Sequence, residues 1–341
     1  MKRWYLYPFA LVYDLITSLR NLLYFTGILK STRFRIPIIS VGNLSVGGSG
    51  KSPMVMHLAE LISREVRTGV LSRGYGRATK GYYITNYDST YKTVGDEAMQ
   101  LFQRFKNRFV IAVCEDRVAG AKKLIHDMDL QALILDDAMQ HRAITPGFSV
   151  LMTDFNDPYF KDFLLPAGNL RESRSGAQRA DIIMVSKCPT PLSQETKKLY
   201  IQKIRPLPHQ QVFFSSIQYD ENIYSLEKSL PDNNLAYYDI LLVTGIANPK
   251  PLLKHLQNYS SKVTHLKFSD HHNFSDKDID HILSEYKKLG EYRLILTTEK
   301  DFVRLKTFDY LRDLIYYWPI NVTIENQGQF HQTILDYVRK N

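Results

Sequence analysis

The chain has 341 residues, 44% hydrophobic and 23% charged, which is enough apolar matter for two domain cores and excludes a disordered chain. Its formal charge of +9 fits an anionic partner such as nucleic acid, anionic lipid or a phosphorylated substrate, although charge alone does not choose among them. Cys114 and Cys188 both follow strand-like runs and read as buried free thiols in a reducing compartment, with neither a disulfide nor a metal site.

The first element is "WYLYPFALVYDLITSLRNLLYFTGIL", Trp4 to Leu29. Asp14, Arg20 and Asn21 interrupt its apolar run near the middle, which argues against a spanning helix of about 20 apolar residues. There is no compact apolar centre with a small-residue cleavage site, so it does not read as a secretory signal. Lys2 and Arg3 precede it, and Lys30, Arg33 and Arg35 follow. Basic flanks and Trp/Tyr at the ends fit a helix lying in a membrane interface, with a core-packed helix as the competing reading.

From Phe34 the chain alternates apolar strands with helical stretches. "RIPIISVGN" leads into "LSVGGSGKSP", and "MVMHLAELISREV" after it has helical spacing. This strand–loop–helix is the setting of a phosphate-binding loop. Gly47, Gly48, Ser49 and Gly50 would turn backbone N–H groups toward phosphate, Lys51 would add charge, and Ser52 would offer a hydroxyl to Mg²⁺. The general pattern wants a glycine where Ser45 stands, which matters only if that position needs a positive φ or a close backbone approach.

The next strand candidates are "TGVLS", "RFVIAV", "QALILDD", "FSVLMTD" and "ADIIMVSK". Continuous apolar strands alternating with helices predict a parallel sheet covered on both faces. "LSRGYGR" sets Arg73 and Arg77 on a glycine-flexed loop suited to a phosphorylated partner. "TVGDEAMQLF" places Asp96 and Glu97 at a helix start, where acids ordinarily complement the dipole. Asp136 and Asp137 end a strand, the place where open α/β sheets bind ligands, and paired acids there call for a cation. "LLPAGNLRES" carries Arg171 and Glu172 past a turn.

Residues 209–235 read as a turn-rich connector. A second α/β series follows, with "YDILLVTGIANP", "THLKFSDHH", "KDIDHILSEYKKLG", "YRLILTTEKD" and a closing helix from Gly328. "FSDHHNFS" contains Asp270, His271 and His272; adjacent histidines point apart, so an acid–histidine pair for proton transfer suits them at least as well as a metal. The expected organisation is an interfacial helix over 1–30, a P-loop NTPase-like core with helices on both faces over 31–208, the connector, and a smaller α/β lid or substrate domain over 236–341.

In this order, "SVGNLSVGGSGKSP", "LSRGYGR", "GDEA", "DDAMQH", "LLPAGNLRES", "VTGIANP", "FSDHHNF" and "TTEKD" resemble the tetraacyldisaccharide 4'-kinases, the kinases of lipid A assembly. The resemblance runs from the N-terminal helix to about Arg304. In that family Ser or Thr stands at the position of Ser45. What the resemblance implies is transfer of the ATP γ-phosphate to the 4'-hydroxyl of a tetraacylated glucosamine disaccharide 1-phosphate, at the cytoplasmic face of a bacterial inner membrane. It implies Asp96 paired with His271 as general base, His272 being the less favoured histidine, and Mg²⁺–ATP held by Asp136, Asp137 and Glu172 together with Ser52. Lys51 is expected as the catalytic cation, and Arg73, Arg77, Arg117 and Arg171 as the substrate contacts. "GDEA" and "DDAMQH" depart from the family's usual "GDEP" and its Gly-aromatic continuation, but keep the acids.

A regulatory P-loop GTPase is the alternative, because "MVSKC" and "LTTEKD" look like guanine-reading segments; "SKCP", however, lacks the base-reading aspartate. A basic nucleic-acid-binding ATPase is a third reading, and no recognition motif supports it. No nucleic-acid partner is expected.

Overall fold

The computed structural model describes residues 3–260 and 262–341, so Lys2 of the basic N-terminal flank lies outside the described residues. A short turn at Trp4–Leu6 runs into an α-helix at Tyr7–Phe25. Its outward row, Phe9, Val12, Leu15, Ile16, Leu19 and Leu22, is exposed, whereas Ala10 is its one buried residue among those described. The inward row is polar: the Tyr13 hydroxyl donates to the Arg171 carbonyl (2.9 Å) and Asn21 Nδ2 to Glu172 Oε2 (3.3 Å). Ordinary surface helices turn their apolar stripe inward, and this one turns it out. Among the described residues no helix is long and apolar enough to cross a membrane.

Among the described residues, nine strands form the first sheet, in the order Ile320–Ile324, Gln211–Tyr219, Ile182–Ser186, Phe148–Asp154, Ile38–Asn43, Ala132–Asp136, Thr68–Ser72, Val110–Val113, Tyr83–Ile84. The inner strands are parallel, and the two edge strands are antiparallel to their neighbours. Ile38–Asn43, Ala132–Asp136 and Ile182–Ser186 are buried at every residue, which is why they read as unbroken apolar runs instead of alternating ones. On one face pack the helices Lys51–Ile62, Asp96–Phe105 and Gln327–Lys340, through Met54, Leu58, Phe102, Phe330 and Ile334. Arg117–Met128 and Gln194–Ile204 cover the other face, through Ala121, Leu124, Tyr200 and Ile204.

The second sheet runs Ser229–Pro231, Asn222–Tyr224, Ile315–Trp318, Arg293–Thr298, Asp239–Thr244, Val263–Lys267, the last four mutually parallel. Helices Asp276–Lys287 and Glu299–Leu305 cover one of its faces through Ile279, Ile282 and Phe302.

Two boundaries differ from the sequence reading. The stretch read as connector carries real strands: Gln211–Tyr219 extends the first sheet with Phe213 and Phe214 buried, and Asn222–Tyr224 begins the second. The chain end also returns home, since Ile320–Ile324 pairs with Gln211–Tyr219 and the closing helix completes the first core. The cause is edge pairing. Gln211–Tyr219 would otherwise expose a row of unpaired backbone groups, and a strand from the far end of the chain covers it.

Candidate active site

The Ile38–Asn43 strand delivers the glycine loop to the C-terminal edge of the first sheet, and Lys51 opens the helix that follows. Gly47 and Gly50 have φ of +106° and +81°, conformations that L side chains avoid, and a Cβ at Gly47 or Gly48 would meet nothing within 4 Å. The loop is thus open on the side where phosphate would lie. Ser45 is absent from the positive-φ positions and instead bridges Leu170 in an extended pairing, while Val46 N–H donates to the Asn169 carbonyl at 2.8 Å. Nothing at that position requires glycine.

Side chains from neighbouring strands brace the loop. The Ser186 hydroxyl donates to the Ser49 carbonyl (2.7 Å), and Lys187 donates to the Gly48 carbonyl while pairing with Asp154 at 2.8 Å. Lys51 Nζ donates to Asn43 Oδ1 (3.1 Å) and lies 3.7 Å from Asp137 Oδ1. Burial pulls the Lys51 ammonium below its ordinary pKa, opposed by Asp137. Among the described residues, Ser49 Oγ and Asn43 Nδ2 are buried without a partner, polar atoms of the kind a bound ligand satisfies.

Asp136 ends its strand and is 6% exposed; Asp137 follows with φ +48°, outside the regions most residues adopt. Burial, then repulsion from Asp137, pushes the Asp136 carboxyl up to about 7. Burial also acts on Asp137, but the Arg171 hydrogen bonds and the Lys51 charge outweigh it and hold that carboxyl low. Arg171 grips Asp137 with both terminal nitrogens (2.8 and 3.1 Å) and also donates to the Asn43 carbonyl and side chain. A buried, poorly compensated carboxylate next to an ionised one is a hard-oxygen pair that fits Mg²⁺, which takes one or two carboxylates and completes its shell with phosphate oxygens and water.

Glu172 does not join that pair. Its carboxylate is matched by Arg179 (2.8 Å to each oxygen) and by Gln140 (2.9 Å), and among the described residues no group of three or more His, Cys, Asp or Glu gathers to hold a metal. Arg77, its side chain 2% exposed, is held through Nη2 by Glu115 (2.7 Å) and the Gly81 carbonyl, while among the described residues its Nε and Nη1 have no partner. Arg117 is buried with Nε unpartnered, and burial followed by the Arg73 charge pulls it below its ordinary pKa. Asp136 and Asp137 also act on it, so Arg73 and Arg117 form a cationic group beside the acids.

The fold brings the acid–histidine pair together from separate sheets. Asp96 starts the Asp96–Phe105 helix after Gly95, whose φ is +90° and whose added Cβ would lie 3.0 Å from the Tyr75 carbonyl. His271, on the turn beyond Val263–Lys267, places Nδ1 at 3.1 Å from Asp96 Oδ2. His272 points away, with Nε2 on Asp278 at 3.1 Å. Arg304, 1% exposed, donates to the carbonyls of His272 (2.8 Å) and Gly245 (3.3 Å), which shapes that turn, and brings Nε to 3.8 Å from Asp96. Glu97, next to Asp96 in the chain, acts electrostatically on both Lys51 and Asp136, which sets the acid–histidine pair on the same side of the first sheet's core as the glycine loop's lysine and acids. Asn43 and Arg304 carry this geometry without a sequence motif that marks them, although "TTEKD" lies beside Arg304.

A nucleoside triphosphate is the ligand this cleft is shaped for, which makes the chain a P-loop nucleotide-binding protein of the doubly wound α/β class. The family model for LpxK, tetraacyldisaccharide-1-P 4'-kinase, matches residues 2–339. The tetraacyldisaccharide 4'-kinase of Flavobacterium johnsoniae is 44% identical over 338 residues, covering 98% of this chain and 97% of that protein. That of Bacteroides thetaiotaomicron is 40% identical over 360 residues, covering 100% and 94%. A crystal structure of LpxK from Aquifex aeolicus in complex with ATP superposes with a TM-score of 0.80 at 29% identity, covering 99% of this chain and 100% of that one. The chain belongs to the tetraacyldisaccharide 4'-kinase family, which leaves the regulatory GTPase reading without support.

Proposed function

We propose that this chain phosphorylates the 4'-hydroxyl of a tetraacylated disaccharide 1-phosphate with ATP, using Asp96 as the base oriented by His271. The observation that carries the reading is the Asp96–His271 contact at 3.1 Å, made between the helix that Asp96 starts on the first sheet and the turn that carries His271 beyond a strand of the second. A sugar hydroxyl is a weak nucleophile, so a carboxylate placed to take its proton lowers the barrier. Oδ2 of Asp96 faces His271, and Oδ1 is assigned the hydroxyl proton.

Residues 47–50 cradle the β- and γ-phosphates through backbone N–H groups, and Lys51 neutralises charge on the transferring group. Ser52, Asp136 and Asp137 would hold Mg²⁺, which when bound neutralises phosphate charge and orients the transferring group. Glu172, with Arg179 and Gln140, supports the Asn43 region from behind and does not serve as a direct ligand. Arg73 and Arg117 bind the anionic groups of the substrates, a role supported by the mutual charge of the two and by the unsatisfied Arg117 Nε. Arg171 orients Asp137 and Asn43, and Arg77 fixes its own loop.

The exposed row of the Tyr7–Phe25 helix lies in the lipid surface on the cytoplasmic side, where ATP is supplied, and its polar row touches the Arg171–Glu172 turn. The enzyme thereby meets an acylated acceptor with its cleft beside the membrane. Incubation with γ-labelled ATP and tetraacyldisaccharide 1-phosphate in mixed micelles tests the reading: label appears in a doubly phosphorylated lipid. Label released only as inorganic phosphate would contradict it.

A further inference from the structure

Lys300 takes no part in the roles above, yet it stands where the two sheets' units meet. It lies on Glu299–Leu305, the helix that docks on Asp96–Phe105 through the Gln100–Glu299 hydrogen bond (2.9 Å) and the Arg104–Glu299 ion pair (3.5 Å). Its Nζ is 3.0 Å from His271 Nε2 and 3.2 Å from Glu97 Oε1.

An ammonium has donors and no acceptor. Facing Lys300, His271 Nε2 therefore accepts, and the ring carries its hydrogen on Nδ1, the atom that meets Asp96. The opposite tautomer would turn a nitrogen lone pair toward the Asp96 carboxylate and an N–H toward the Lys300 ammonium, losing both hydrogen bonds. His271 itself sits at φ +55° with the Tyr75 ring edge-on at 5.7 Å, so backbone and neighbour fix the ring's place but leave its tautomer open. Glu97 supplies the counter-charge that keeps the ammonium at this spot.

We propose that Lys300 is a positioning residue for phosphoryl transfer: anchored on Glu97, it holds His271 as the Nδ1–H tautomer, so that His271 presents a donor and Asp96 a fixed carboxylate. The proposal rests on the Asp96–His271 reading above. It makes Glu299–Leu305 more than a strut, because docking of the second unit brings both the histidine and the group that sets its hydrogen.

The test is a kinetic double-mutant cycle of Lys300→Met and His271→Ala, with purified full-length enzyme in mixed micelles. Lys300→Met lowers kcat about tenfold, in the range of ordinary coupling energies, and leaves the KM for ATP unchanged. In the His271→Ala background the same substitution costs less than about twofold, because the group it acts through is gone. Lys300→Arg, which keeps a donor, recovers most of the loss. An equal penalty in both backgrounds, or wild-type kcat in Lys300→Met, overturns the proposal. Wild-type kcat in His271→Ala would instead sink the acid–histidine reading itself, a different signature. A second measurement needs no variant: the imidazole ¹⁵N–¹H spectrum of unsubstituted enzyme should show His271 Nε2 without a hydrogen, and a protonated Nε2 overturns the assignment.

Discussion

At the end of the Ala132–Asp136 strand, burial drives one carboxyl upward while Arg171 and Lys51 hold its neighbour down. The Asp136 pKa, raised in the fold to about 7, makes a stability contribution that is complete below the unfolded value and lost as pH rises through the folded one. Without nucleotide and Mg²⁺, Asp136→Asn should therefore raise the melting temperature by several degrees at about pH 8 and much less at about pH 5. Calorimetry of both proteins at both pH values checks this, and an equal gain at each would deny the strain. Local chemistry of this kind was legible, because loop, lysine and acid pair are each written in a few consecutive residues. Ser45 was legible only in part: its extended pairing with Leu170 depends on a residue far along the chain. The same distance hid Asn43, whose partner Arg171 is 128 positions away, and concealed that Glu172 and Arg77 already have matching charges.

The elements tell two stories of faces. The Tyr7–Phe25 helix shows its apolar row to solvent, so Leu15→Glu with Leu19→Glu should leave the fold intact, since both side chains are exposed. Vesicle co-sedimentation should fall by about tenfold or more, because each buried leucine is worth roughly 1.5–3 kcal/mol. Binding unchanged from wild type would place the membrane contact elsewhere. In the first core, the phosphate-loop helix meets the closing helix through His57 and His331, with Nε2 atoms 2.9 Å apart. Burial, then His331, pulls His57 down to about 4, so the contact's stability is full above the unfolded histidine value and drains as pH falls toward about 4. His57→Gln should flatten the drop in melting temperature between about pH 7 and about pH 5, and an unaltered drop would assign it to other groups. Helix and strand existence followed from periodicity, but the strand Gln211–Tyr219, next to the sheet's edge, did not. It is half-buried among polar residues, and its partner Ile320–Ile324 lies beyond an entire second sheet in sequence.

Across the whole molecule, the chain leaves the first sheet at Tyr219 and re-enters it at Ile320, so the second unit is an insertion held on two adjacent strands. There the Trp318 indole donates to the Asp220 carbonyl at 2.8 Å, and Asp220 N–H to the Pro319 carbonyl at 3.0 Å, which ties the two crossings together. The inserted unit delivers His271, Lys300 and Arg304 to a cleft whose loop, lysine and acids belong to the first sheet. On the proposed assignment of Asp96 and His271, phosphoryl transfer would need both units docked, and an undocked state would lack an oriented base, which would limit wasteful transfer to water. The central claim is that Asp96 serves the acceptor and not the nucleotide. Single-turnover transfer by Asp96→Ala, with ATP affinity measured on the same preparation, tests it most directly. The account predicts transfer slowed by about 10²–10⁴ with ATP affinity near wild type; transfer at the wild-type rate, or a loss that tracks lost ATP binding, would contradict it.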